Sequence, residues 1–461
     1  MSDMAGDRML WAPRAFIDGA WAESVLLRID ASGHWCEVSP GTAAPPQATR
    51  LPGPVLPSLV NAHSHAFQRA FAGLAERREN AHDDFWSWRD RMYGVALRIT
   101  PEQLHAVATQ LYTELLAGGY TQVCEFHYLH HSEEGTPYAD PLAMSRALLQ
   151  AAADSGIGLT LLPVLYERAG FAQPQLRADQ RRFATDVQAV LALRDGVRAV
   201  KQAHVNAGVA IHSLRAAAPA SVQALAQAVA NDDGPIHIHI AEQTAEVDDC
   251  LAATGLRPIE WLARKLPLSA RWQLVHATHA LPDEIDAVAA SGAGVVLSPS
   301  TEGNLGDGVP DLPRWLAAGV PLSLGSDSHV TRAWPEELRW LEYAQRLTLR
   351  QRNVAAQPGV QPSTAARLFE SVRQGGGAAA GFARWGLTVG ARADLLLLNT
   401  QDPVLRGTPA AHWLDAMVFA TPPQPIARVM VGGRWVGDQS AEVGASFEQA
   451  MQVLSGGAPQ S

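Results

Sequence analysis

The sequence predicts an α/β chain built on a (β/α)8, TIM-type barrel, with a small β domain assembled from both chain ends. Between residues 56 and 376, eight short apolar runs alternate with longer segments of helical periodicity, which is the element count of such a barrel. The flanks differ, reading as short strands and turns, and each carries a similar hairpin-like segment. Size agrees: 461 residues, 47% hydrophobic, hold enough apolar material for a core of about 250 residues or more. A doubly wound parallel sheet is the other arrangement of the same alternation.

Taken in order, residues 1–55 open with Phe16-Ile17-Asp18-Gly19-Ala20-Trp21, an apolar-turn-apolar pattern that predicts a hairpin. Barrel strands are expected at 55–60, 121–125, 159–164, 207–212, 235–240, 272–276, 294–297 and 320–324. The clearest helix begins at Thr100, a capping residue, with Pro101 in its first turn. Leu104, Val107, Leu111 and Leu115 form its buried stripe, and Gly118-Gly119 end it. After the barrel, Leu395 to Leu398 reads as a short buried strand. Val429 to Val436, turning at Gly432-Gly433, repeats the shape of the first hairpin. The predicted division is therefore 1–55 with 377–450 as one β unit, 56–376 as the barrel, and 451–461 as a flexible tail.

Composition narrows the function. The net charge of −10, from 46 acidic and 36 basic residues, argues against nucleic acid or an anionic membrane as partner. No run of 18 uninterrupted apolar residues suggests a spanning helix, and residues 1–21 lack the apolar stretch of a signal peptide. Cys36, Cys124 and Cys250 lie far apart, so neither a disulfide framework nor a cysteine zinc finger is expected, and a cytoplasmic location fits. Only Lys201 and Lys265 are lysines, which leaves lysine-dependent chemistry two candidates.

Chemistry on a barrel gathers where the strands end. The first strand leads into Asn61-Ala62-His63-Ser64-His65, and histidines two apart on a strand share a side, so both can reach one ion. The fifth repeats the device as His237-Ile238-His239, followed by Glu242. The sixth ends at His276, and Asp327 stands just beyond the eighth. Four strands finishing in His, His, His and Asp point to a metal.

This ordered set resembles the amidohydrolase superfamily, in its deaminase branch. The segment Gly386 to Leu395 looks like that superfamily's return into its small β domain. The resemblance spans nearly the whole chain and implies a barrel with a composite β-sandwich formed by both ends. It implies His63, His65, His239 and Asp327 as ligands of one divalent ion per subunit, zinc or else iron or manganese. Binuclear relatives bridge two ions with a modified lysine at the end of the fourth strand. Here that position reads Ile211-His212-Ser213-Leu214-Arg215, and Lys201 precedes the strand, so a single ion is expected. The ion would lower the pKa of a bound water to about 7. Glu242 would shuttle a proton to the departing nitrogen, His276 would polarise the electrophile, and Asp327 would also orient the water. His237 is expected to point away from the metal by strand alternation.

The run from Ala66 to Phe71, with Asp84-Phe85-Trp86-Ser87-Trp88-Arg89-Asp90-Arg91-Met92-Tyr93, looks like the lid of the formimidoylglutamate deiminases of histidine degradation. His127-Tyr128 and His212 to Arg215 fit the same family. That resemblance implies hydrolysis of N-formimino-L-glutamate to N-formyl-L-glutamate and ammonia. Such a substrate carries two carboxylates, which arginine forks bind bidentately, and Arg89 and Arg215 are the candidates. Gln68, Tyr128 and His212 would complete the hydrogen bonds. Trp86 and Trp88 are expected to pack the lid, and His130, His131, His279 and His329 to occupy ordinary polar loops. A homodimer is expected. Two rival functions are a deaminase of purines, pyrimidines or nucleosides on the same scaffold, and a non-catalytic barrel acting as an interaction module.

Overall fold

A computed structural model of the chain describes residues 8–77, 85–420, 425–437 and 440–455. Eight parallel strand positions close on themselves. They are Leu59–Ser64, Tyr120–His127, Gly158–Leu165, Val205–Ala207 with Val209–Ile211, Ile236–Ile240, Trp272–His276, Gly294–Leu297 and Leu322–Leu324. Closure comes where Leu324 pairs with Asn61. These strands are buried on both faces, and so read as continuous apolar runs instead of alternating ones.

The run expected as one strand over 55–60 is two. Val55–Leu56 belongs to the sheet of the chain ends and Leu59–Ser64 to the barrel. Pro57 lies between them and has no N–H for a ladder, so the chain changes sheets there. The fourth strand is likewise interrupted at Gly208, whose N–H reaches Leu161 O at 3.2 Å.

The second sheet draws on both chain ends and has eight strands. Along it run Arg434–Trp435, Ile426–Val431, Leu395–Leu398, Val55–Leu56, Arg8–Ile17, Ala20–Ile29 and Trp35–Ser39, with Thr49–Arg50 beside Arg8–Ile17. Both predicted turns carry positive φ at both central residues, Asp18-Gly19 at 47° and 81° and Gly432-Gly433 at 54° and 76°. Two left-handed residues give the turn whose twist matches paired strands, and they explain glycine at these places. The sequence Leu395-Leu396-Leu397-Leu398 has no alternation because both faces are covered. Leu395 and Leu397 enter a core shared with Val25, Leu27 and Trp35, while Leu396 and Leu398 enter the barrel core.

The helix Pro101–Ala117 forms as expected. Gln103 N–H donates to Thr100 Oγ1 at 3.3 Å and Thr100 N–H to Gln103 Oε1 at 3.0 Å, a reciprocal cap. The helix Thr364–Ala379 ends under the barrel, where Ala379 O accepts from Cys124 and His237, and Ala380 O from Thr160 and Asn206. Arg392 and Asp394 join the two sheets. Arg392 donates to Asp394, Gln122 Oε1 and Thr121 O, while Gly432 N–H donates to Asp394 Oδ1. At the C-terminal end the chain is helical through residue 451. The helix Ser440–Leu454 continues with Leu454 buried, packs against Pro101–Ala117, and residues 456–461 lie outside the described residues.

Candidate active site

The predicted chemical residues meet at one mouth of the barrel. His63 is on the first strand and His65 just past it, where the ladder to the second strand shifts register between Asn61 and Ser64. That irregularity bends the strand end inward. Asn61 clasps the last strand to the first, donating to Ser326 Oγ at 2.7 Å and accepting from Ser326 N–H at 2.8 Å. Asp327 N–H then donates to His63 O at 3.0 Å. Five non-glycine residues at this mouth have positive φ: Ala241, His276, Ala277, Asp327 and His329, between 46° and 70°. Each such residue costs about 1–3 kcal/mol, which surrounding bonds must offset, and such strain gathers at functional sites.

The imidazoles converge as lone pairs. His65 Nδ1–H donates to Phe126 O at 3.0 Å and His239 Nδ1–H to His212 O at 2.9 Å, which leaves Nε2 of each unprotonated. Those Nε2 atoms lie 3.1 and 2.9 Å from His63 Nε2. Asp327 Oδ1 is 3.4 Å from His65 Nε2 and 3.6 Å from His63 Nε2. One His63 proton can satisfy only one of the two nitrogens, so the cluster calls for a cation at its centre. Protons are poor candidates. Burial pushes His65 down to about 3 and holds His63 and His239 well below the usual imidazole value. Two overlapping sets of buried donors gather here, His63 with His65 and Asp327 and His63 with His239 and His276; nitrogens of His63, His65 and His239 with the Asp327 carboxylate suit zinc, iron or manganese. The fourth strand contributes no lysine: it ends at Ile211, and Lys201 caps the helix Val187–Val200 instead.

Beside this cluster, His276 Nε2 is 3.5 Å from Glu242 Oε1 and 3.8 Å from Asp327 Oδ2. Its Nδ1 lies 3.3 Å from Glu302 Oε1, which also accepts from Ser298 N–H at 2.9 Å. Burial pushes His276 down, but the carboxylates of Glu242, Glu302 and Asp327 outweigh it and raise the ring to about 10. Glu246 fixes the turn that carries Glu242, accepting from the N–H groups of Ala241 and Glu242 at 3.3 and 3.1 Å.

A cavity of about 540 Å³, including its open mouth, unites these groups with every residue expected to bind substrate. Gln68, Arg89, Tyr128, His212 and Arg215 line it together with His65, His239, Glu242, His276 and Asp327; His63 lies beneath, fully buried. Gln68 Nε2 donates to Tyr128 OH at 3.0 Å, and its Oε1 has no partner among the described residues. Arg89 lies over the Tyr93 ring. Both guanidinium groups act on His212, which burial holds well below its usual value. Trp88 lines the cavity and packs on Phe71, whereas Asp84 and the side chains of Phe85 and Trp86 lie outside the described residues.

Two expectations need correction. His237 does not point away by alternation, since residues two apart share a side. It sits about 6–7 Å lower on the strand and donates to Ala379 O at 2.8 Å beneath the barrel. His329 is no ordinary loop histidine: fully buried, it donates to His65 O at 3.1 Å and meets Ser326 Oγ at 3.0 Å. Sequence reasoning placed Tyr93 in the lid run without a role, and passed over Glu302, Tyr166 and Gln180. Glu302 left a faint signal, an acid three residues after Pro299 where an apolar strand gives way to a helix. The others lie on elements far apart in sequence and left none.

Known proteins of similar sequence share this fold. The model of the Amidohydrolase family matches residues 55–436. A formimidoylglutamate deiminase from Pseudomonas aeruginosa is 47% identical over 93% of this chain and 94% of its own. An 8-oxoguanine deaminase from the same organism is 28% identical over 83% and 81%. A crystal structure of an amidohydrolase from Brucella melitensis superposes with a TM-score of 0.92 at 40% identity, covering 97% of this chain and 99% of that one.

Proposed function

The chain belongs to the amidohydrolase family, and from that premise we propose that it is a formimidoylglutamate deiminase, hydrolysing N-formimino-L-glutamate to N-formyl-L-glutamate and ammonia in histidine degradation. The observation that carries this reading is the cavity that joins a three-histidine, one-aspartate cluster to two arginines. Two guanidinium groups suit a substrate with two carboxylates, whereas a purine pocket calls for stacking and amide hydrogen bonds. Similarity to the deiminase is also far higher than to the base deaminase.

His63, His65, His239 and Asp327 would hold one divalent ion, zinc or else iron or manganese, which when bound activates a water for attack at neutral pH. Arg89 and Arg215 hold the glutamate end, with Gln68, Tyr128 and His212 completing its hydrogen bonds. The formimino carbon is thereby directed toward Glu242 and His276. The water oxygen bonds to that carbon as Glu242 takes its proton. His276, braced by Glu302, donates toward the charge that builds on the attacked group. Glu242 then gives a proton to the amino nitrogen, the carbon–nitrogen bond breaks and ammonia departs, while the remaining hydroxyl proton passes to Asp327 as the formyl carbonyl forms.

The protein works on a small molecule, in our reading as a cytoplasmic homodimer. The helix Trp334–Leu349 exposes Trp340, Tyr343 and Leu347 at a helical spacing that a second copy could cover. No helix among the described residues is long and apolar enough to cross a membrane. Ammonia release from N-formimino-L-glutamate by metal-loaded protein, against a chelated blank, tests the function. Metal-dependent release is expected. Release from purines or pyrimidines alone would transfer the assignment to a base deaminase, and the arginine roles would fall with it.

A further inference from the structure

Two tyrosines of the cavity stand beside the arginines with no role in the reaction so far. Tyr93 comes from the helix Phe85–Ala96 and Tyr166 follows the third barrel strand; both are buried and line the cavity. Behind them lies Gln180, 1% exposed, in the short helix Ala178–Phe183. Its orientation is not ambiguous. Gln180 Oε1 accepts from Arg177 N–H at 3.0 Å, so Nε2 faces the tyrosines, donating to Tyr166 OH at 2.9 Å and to Tyr93 OH at 3.4 Å.

Both hydroxyls accept from the same Gln180 amide, and neither donates to an acceptor among the described residues. Two O–H groups have two protons, and neither is spent on a partner among the described residues. Gln180 supplies N–H groups to the oxygens and accepts nothing in return. Each O–H is thus available as a donor at the wall of the cavity, where either can serve. Arg89 and Arg215 both act electrostatically on Tyr166, and the Tyr166 ring lies 4.4 Å from His212, so the spare donor shares their end of the cavity. Burial holds the Tyr166 hydroxyl far above the usual phenol value, so it remains a donor at any working pH.

We propose that Tyr93 and Tyr166, aligned by Gln180, present one hydroxyl to a substrate carboxylate held by Arg89 and Arg215. The three residues thereby set the preference for an acidic over an amidated ligand. This rests on the deiminase reading for the identity of the substrate, though not for the geometry. Gln180 acts here as a positioning residue, and the tyrosines as binding residues.

The decisive variant is the double change Tyr93→Phe with Tyr166→Phe, which keeps both rings and removes both hydroxyls. Either single change would leave one O–H free to serve. With N-formimino-L-glutamate the double variant should raise KM about 10-fold or more, as for a lost hydrogen bond to a charged group, while kcat, metal content and Tm stay close to wild type. The analogues amidated at the α- or at the γ-carboxyl locate the contact: one of them should show no further loss in the double variant. Equal losses on both analogues, or a fall in kcat at unchanged KM, would overturn the proposal. Calorimetry with glutarate separates it from the reaction assigned above. If wild type binds this plain dicarboxylate and the double variant binds it about 10-fold more weakly, the hydroxyl contact stands even if no ammonia is released. If both bind glutarate equally, the contact is refuted whatever the enzyme hydrolyses. If wild type does not bind it, the carboxylate site and this proposal fall together.

Discussion

The chain twice places histidines two residues apart on a barrel strand, and the two pairs do different work. His63 and His65 bring their Nε2 atoms to 3.1 Å of each other, whereas His239 joins them and His237 turns to Ala379 O beneath the barrel. All four side chains face inward, so orientation does not separate the pairs. What differs is the backbone. The first pair straddles a register shift at the strand end, which erases the height difference that two residues of regular strand impose. The second pair lies on an unbroken ladder from Ile236 to Ile240. A spacing motif therefore specifies a side, while the strand's regularity decides whether two ligands share an ion.

The largest test of that contrast is metal itself. His239→Asn should leave the purified protein without its bound ion and without activity, whereas His237→Leu should retain both, as judged by elemental analysis. Loss of metal from the His237 variant would break the distinction. Glu242→Gln should keep metal and fold but lower kcat by about 10²–10⁴-fold, the range of general acid–base contributions. Normal turnover in that variant would remove Glu242 from the chemistry. Glu302→Gln, which weakens the brace on His276, should cost about 10–100-fold, in line with residues that orient active groups. His237→Leu should show its effect in stability: Ala379 O keeps only the weak Cys124 thiol donor, a loss of about 1 kcal/mol in chemical denaturation.

The smallest effect lies in pH. His127 also ends a barrel strand, yet it packs on His130 instead of entering the site, and burial pushes it down to about 3. A histidine kept neutral by the fold contributes fully above its unfolded value near 6.5, and that contribution fades as pH falls toward 3 because the unfolded chain binds the proton first. His127→Gln should therefore flatten the decline in Tm between pH 6.5 and 3. A profile parallel to wild type would mean that the ring is not held neutral.

Much of this was legible because metal ligands are conspicuous at the ends of apolar runs. His63, His65, His239, His276 and Asp327 each follow such a run, and the cavity gathers Gln68, Arg89, Tyr128, His212 and Arg215 around them. What escaped notice depends on tertiary placement. Glu302 meets His276 only because the seventh strand lies next to the sixth. Gln180 reaches Tyr93 across more than eighty residues of chain, and no local pattern marks either. The division at Pro57 was readable in principle, since proline interrupts a ladder, but continuous hydrophobicity from Val55 to Val60 masked it. His237 was set apart by strand alternation, whereas height and not side separates it from the other histidines.

The pairing of Val55–Leu56 with Leu395–Leu398 has a consequence for how the protein is made. During synthesis Val55–Leu56, paired on one side with Arg8–Ile17, leaves the ribosome hundreds of residues before its other neighbour, Leu395–Leu398. At roughly 5–20 residues per second, the chain between Leu56 and Val431 takes about 20–75 s to appear. Throughout that interval Val55–Leu56 has an open edge toward the missing strands, and the barrel floor awaits the helix Thr364–Ala379. Newborn chains thus carry a sticky border for most of their elongation, and the yield of active enzyme in a cell depends on what shields it.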